Sequence, residues 1–153
     1  MAALDALDDA VRAFLSQGTR TGKLGWVARD GRPLVTPVWF VVDGDDLVFN
    51  TGADTPKGRA IAGDPRLVIA VDRQEMPYGF VQVQGVAEMT DELDEVRRIA
   101  ALCGARYMGA HRAEEFAARN GVPGELGVRL RPTKVIADLD VTSSAFPDHA
   151  GRV

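Results

Sequence analysis

The sequence predicts a mainly β (α+β) chain: six strands in an antiparallel barrel with helices at its periphery, forming one domain over residues 1–141. Three observations predict it. Strand-like segments alternate cleanly, as where Val81, Val83, Ala87 and Met89 share one face and Gln82, Gln84 and Glu88 the other. Neighbouring strands are joined by hairpin-length connections, marked by Asp30-Gly31 and by Asp43-Gly44-Asp45-Asp46. Strand–helix–strand crossovers are too few for a doubly wound sheet.

The elements follow in order. Leu4, Leu7, Val11, Phe14 and Leu15 recur at helical spacing and predict a helix over 5–17, with an acidic start, a stop at Gly18, and a place over one end of the sheet. Residues 23–28 alternate as a strand. Residues 34–42 form a second strand whose two faces are both apolar, which predicts burial on both sides. Pro37 interrupts its donor row, so this strand belongs at an edge or a bulge, leaving the backbone of 36–39 able to face a ligand. Residues 47–51 form the third strand, and a helix follows over 55–62. After the Gly63-Asp64-Pro65 turn, 66–72 reads as a buried strand and 78–89 as a long one, with a bend or close backbone approach at Gly85. Thr90-Asp91-Glu92 opens a helix carrying Leu93, Val96, Ile99, Ala100, Cys103 and Tyr107 on one face. A shorter helix spans 112–119. The last strand covers 124–140, broken at Pro132, and 142–153 is expected to be a flexible tail.

Composition bounds the function. With 46% apolar and 26% charged residues the chain builds a true core. A net charge of −4 argues against nucleic acid as a partner. No apolar run is long enough to span a bilayer and no secretory leader is visible, so a cytoplasmic location away from membranes is expected. Cys103 is the sole cysteine, and His111 and His149 lie far apart, so neither a metal site nor a serine–histidine–acid triad is expected. Cys103 fits the apolar stripe as an inert core residue. Any chemistry then belongs to a bound organic cofactor.

The most informative stretch is 33–59. Thr55 suits a helix cap, Pro56 the first turn, and Lys57 and Arg59 add positive charge where free N–H groups already favour anions. An apolar wall beside a compact anion site points to a flat, phosphorylated ligand. Trp39 suits a core position as well as a place against a planar ring. Asn50 and Thr51 suit either strand-end turn chemistry or ligand contact.

Taken together, Gly22-Lys23-Leu24, Asp30-Gly31-Arg32-Pro33, Pro37-Val38-Trp39-Phe40, 46–51, Lys57-Gly58-Arg59, Asp64-Pro65-Arg66 and 83–87 resemble the pyridoxamine-phosphate-oxidase-like split-barrel superfamily, and within it the branch that uses the deazaflavin coenzyme F420. The resemblance implies the FMN-binding type of split barrel and a homodimer with cofactor sites at the subunit interface. It places cofactor contacts on Thr36, Pro37, Val38, Trp39 and Phe40, on Asn50 and Thr51, and on Thr55, Lys57 and Gly58, with Phe80 arriving from the other subunit. The flavin-using branch commonly carries Ser-Arg-Lys where this chain has Thr55-Pro56-Lys57, which weakens the case for flavin mononucleotide (FMN). The implied activity is hydride transfer from reduced F420 to an electron-poor enone, imine or conjugated ring. No catalytic residue is assigned; the proton comes from solvent or from a hydroxyl such as Tyr78 or Tyr107. The alternatives are an FMN-dependent oxidase or reductase and a non-catalytic carrier of a flavin, deazaflavin or tetrapyrrole.

Overall fold

A computed structural model describes residues 2–143. It contains β1 (Ala2–Leu4), α1 (Asp9–Ser16), β2 (Gly22–Val27), β3 (Pro33–Val38), β4 (Val41–Asp43), β5 (Asp46–Gly52), α2 (Pro56–Gly63), β6 (Arg66–Arg73), β7 (Gly79–Thr90), α3 (Leu93–Met108), a 3-10 turn (Ala110–Arg112), α4 (Ala113–Asn120) and β8 (Glu125–Asp138). Every strand pair is antiparallel, in the order β3-β2-β6-β7-β8-β5-β4, with β1 pairing the far end of β8. β3 and β4 stand at opposite ends of this order yet are separated only by Trp39 and Phe40. One bent segment therefore forms both edges of a sheet curled into a barrel.

The predicted architecture is present, with eight strands instead of six. The strand expected over 34–42 splits because Trp39 and Phe40 bond to α3 instead of a neighbouring strand. The Phe40 N–H donates to the Tyr107 hydroxyl at 3.3 Å, and Arg106 donates to the Phe40 carbonyl at 2.7 Å. The eighth strand is β1, too short to announce itself by periodicity. The first helix begins at Asp9 because the Asp8 carboxylate caps it, accepting from the Val11 N–H at 2.8 Å. Pro132 does not break β8. It lies opposite Gly85, beside a bulge in which Thr133 of β8 is skipped between the Gln84–Lys134 and Gly85–Pro132 pairs. A Cβ at Gly85 would overlap the Arg131 carbonyl, which is the close approach the sequence predicts.

Inside the barrel, Leu24, Phe40, Leu47, Phe49, Ile69 and Val83 are fully buried, and α1 closes one end with Val11, Phe14 and Leu15. A second cluster, Val41, Val48, Ile99 and Cys103, seals α3 against the outer faces of β4 and β5. Burial raises the Cys103 thiol to about 12, consistent with an inert core residue. The expected flexible tail, including His149, falls almost wholly outside the described residues.

Candidate functional site

A cleft of about 460 Å³ opens where the end of β5 meets the start of α2, between β2–β3 on one side and the start of β8 on the other. Its lining brings together Thr36, Asn50, Thr51, Thr55 and Lys57, five of the residues singled out by sequence, and adds Trp26, Asn120 and Glu125.

The local chemistry explains how each is held. Thr55 is the N-cap of α2: its hydroxyl accepts from the Gly58 N–H at 3.0 Å and donates to the Gly52 carbonyl at 2.7 Å. It fixes the helix start and has little left for a ligand. Gly58 is buried, and a Cβ there would overlap the Gly52 carbonyl. Its role is to let α2 sit against β5. Asn50 spends its amide on the carbonyls of Val96 (3.3 Å) and Leu126 (3.4 Å), tying β5 to α3 and β8 and leaving its carbonyl oxygen as the ligand-competent atom. Thr36 accepts from the Trp26 indole at 3.1 Å, so its own O–H remains a donor. Thr51 is only 5% exposed, and what it exposes lines the cleft.

Lys57 is the cation of the site. Burial lowers its pKa, while the field of Glu125 partly restores it. Among the described residues no carboxylate forms a salt bridge with it, and Glu125 acts on it through its field alone. Arg59, also expected near the anion site, turns to the Asp54 carbonyl and lines an adjoining hollow with Arg29 and Arg32.

The other sequence-derived candidates lie elsewhere. Val38 and Phe40 point into the core, and Pro37 is on the exposed edge strand β3. Trp39, 36% exposed, stacks on Tyr107 of α3 with centroids 5.1 Å apart and is tilted against Phe116 of α4. Phe80 lies on β7 between Asp72 and Asp138, outside the cleft. Tyr107 is withdrawn as a proton donor: its hydroxyl binds the Arg20 carbonyl at 2.9 Å and the Phe40 backbone, and burial raises its pKa. Tyr78 is exposed and does not line the cleft.

Sequence reasoning missed Glu125, Asn120 and Trp26 as site residues. Glu125 pairs with Gly52 across β5–β8, a contact between strands more than seventy positions apart, which no local pattern reveals. Beyond the cleft, a shallow apolar hollow of about 620 Å³ covers the outer face of β2, β3, β6 and β7, with Val35 (69% exposed) and Val86 on its rim. Among the described residues no cluster of His, Cys, Asp and Glu could hold a metal, and no helix is long and apolar enough to cross a membrane.

The solved structures that resemble the chain in fold include the following three. A conserved hypothetical protein of Mycobacterium tuberculosis, Rv2991, superposes with a TM-score of 0.76 at 22% identity, covering 94% of this chain and 93% of that one. A structure named F420 reductase gives 0.67 at 24% identity, covering 85% and 98%. A Listeria innocua structure named for pyridoxamine 5'-phosphate oxidase gives 0.66 at 19% identity, covering 84% and 95%. No curated protein matches the chain by sequence. The family described as pyridoxamine 5'-phosphate oxidase matches residues 7–137, and thus nearly every element that builds the barrel and the cleft. The chain belongs to the pyridoxamine 5'-phosphate oxidase family, built on its split barrel.

Proposed function

We propose that the chain binds coenzyme F420 and works as an F420-dependent oxidoreductase, reducing an electron-poor small molecule such as an enone, imine or conjugated ring. One observation carries this reading: Lys57 is a half-buried lysine in no salt bridge among the described residues, lining a cleft of hydroxyls that opens beside the edge strand β3. A half-buried lysine of this kind suits the phosphate of a cofactor. Thr36, Thr51 and the Asn50 carbonyl supply alternating donors and acceptors for a hydroxylated chain. Bound reduced F420 would supply the hydride; the protein's share is to hold the phosphate end, orient the ring along β3 and limit water. The structure named F420 reductase supports the choice of cofactor.

FMN is the second reading, favoured by the family's own description. In either case the apolar outer face fits a second copy of the chain, which would complete the site and bring its own Phe80 to it. We place this homodimer in the cytoplasm. The test is an absorbance titration of the purified protein with F420 and with FMN, together with its sedimentation. Micromolar or tighter F420 binding by a dimer is expected. Tight FMN binding without F420 binding would transfer the assignment to FMN. Binding without reduction of any enone or tetrapyrrole in a broad panel would make the protein a carrier.

A further inference from the structure

The charges lining the cleft have a consequence for which phosphate it accepts. Lys57 and Glu125 are the charged residues among those that line it, so the lining is neutral overall. Glu125 sits opposite Gly52, with its carboxylate oxygen 3.7 Å from where a Gly52 side chain would begin. Gly52 is also the residue whose carbonyl anchors the Thr55 cap, so the carboxylate stands on the rim from which α2 starts. The helix start adds little positive potential of its own. Pro56 has no N–H, the Gly58 N–H is taken by the Thr55 hydroxyl, and the Arg59 N–H by the Thr55 carbonyl. One ammonium and the Lys57 N–H remain to face an anion. Arg59, two residues further along α2, is turned to the Asp54 carbonyl.

Resting on the reading that this cleft holds the phosphate end of a flavin-type cofactor, we infer that Glu125 is a specificity residue, selecting a singly charged phosphodiester over a doubly charged phosphomonoester. For a dianion the attraction to Lys57 and the repulsion from Glu125 both double and largely offset one another, while the cost of desolvating it rises more steeply than its charge. A monoanion meets the same pair at a smaller desolvation cost, and Glu125 can accept hydroxyls of the adjoining chain. F420 carries a phosphodiester and FMN a phosphomonoester, so the same carboxylate separates the two cofactors.

The experiment titrates the full chain and its Glu125→Gln variant with FMN and with F420, following ligand absorbance and protein fluorescence at about pH 7.5 and about pH 5.5, on either side of the second phosphate ionisation near 6. At the higher pH the variant should bind FMN about tenfold more tightly than wild type, for one charge removed at a few ångströms in a partly solvated cleft. F420 should gain only about threefold, because half the phosphate charge meets the same carboxylate. Wild-type binding of FMN should tighten as pH falls, this response should flatten in the variant, and F420 binding should not follow the phosphate ionisation. The wild-type pH comparison stands even if the variant folds poorly. F420 binding by wild type with an FMN-to-F420 ratio unmoved by Glu125→Gln, or FMN binding indifferent to pH, would overturn the inference and leave the cofactor reading intact. Binding of neither cofactor would overturn both.

Discussion

Replacing Gly58 with alanine separates two physical effects that have opposite signs. Gly58 lies in the first turn of α2, where exchange of glycine for alanine alone should stabilise a helix by up to about 1 kcal/mol. At this position the added methyl would overlap the Gly52 carbonyl oxygen, far inside the 3.0 Å limit that real Cβ atoms respect. The obstacle is backbone on both sides, so α2 has to lift from β5 by roughly one ångström, against a close-packed interior. Overpacking of this kind costs about 1–3 kcal/mol, and the Thr55–Gly52 hydrogen bond that spans the same gap would be stretched as well. The net expectation is a loss of about 1–3 kcal/mol, read as a lower urea midpoint or a fall in Tm of about 2–4 °C per kcal/mol for a chain of this size. Gly63, at the other end of the same helix, has nothing within 4 Å of its missing Cβ. Gly63→Ala should therefore leave stability unchanged or raise it by up to about 1 kcal/mol. A Gly58→Ala protein as stable as Gly63→Ala would refute the packing argument.

Further predictions concern the cation, the ion network and the bend. Lys57→Ala should weaken cofactor binding by about 1–3 kcal/mol in a calorimetric titration while leaving the unfolding midpoint within about 0.5 kcal/mol, since among the described residues Lys57 makes no salt bridge to lose. Asp43 is held down to about 2, first by its hydrogen bonds to Arg98 and then by those to Arg129. A depressed folded-state pKa stabilises above the unfolded value near 3.9 and ceases to do so as pH falls through the folded value. Asp43→Asn should thus cost about 1 kcal/mol near neutrality, after allowance for solvent screening, with the gap from wild type closing between about pH 4 and pH 2 in pH-dependent urea melts. Tyr107→Phe should cost about 1–3 kcal/mol by equilibrium unfolding, because the buried Phe40 N–H loses its acceptor.

Much of the barrel was legible because its signals are local. Alternation in β7, the Asp30-Gly31 hairpin and the Thr55-Pro56 opening of α2 all act within a few residues of themselves. What escaped depends on contacts between distant segments. The bend at Trp39-Phe40 is imposed by Arg106 and Tyr107, so the apolar run over 34–42 reads as one unbroken strand until α3 is in place. The candidate cleft divides in the same way. Thr36, Asn50, Thr51 and Lys57 fall on one stretch that a sequence reading can take in at once, whereas Glu125 and Asn120 arrive through the β5–β8 register and the end of α4. Thr55 lines the cleft and Gly58 does not, and the atoms of both serve the helix junction, a distinction that requires the Gly52 carbonyl to be located.

The seam at Trp39-Phe40 also dictates when during synthesis the barrel can shut. Its clamps come from residues 66 and 67 positions downstream, and Arg106 reaches back 91 positions to the Leu15 carbonyl as well. A nascent chain emerging from the ribosome must expose β3 and β4 as two open borders until α3 has cleared the exit tunnel. Such late, distant fastening slows folding and leaves sticky edges in the interim. Pro33 and Pro37, flanking Val35 on the outermost strand, remove two of the N–H groups that a passing strand would need to join that border.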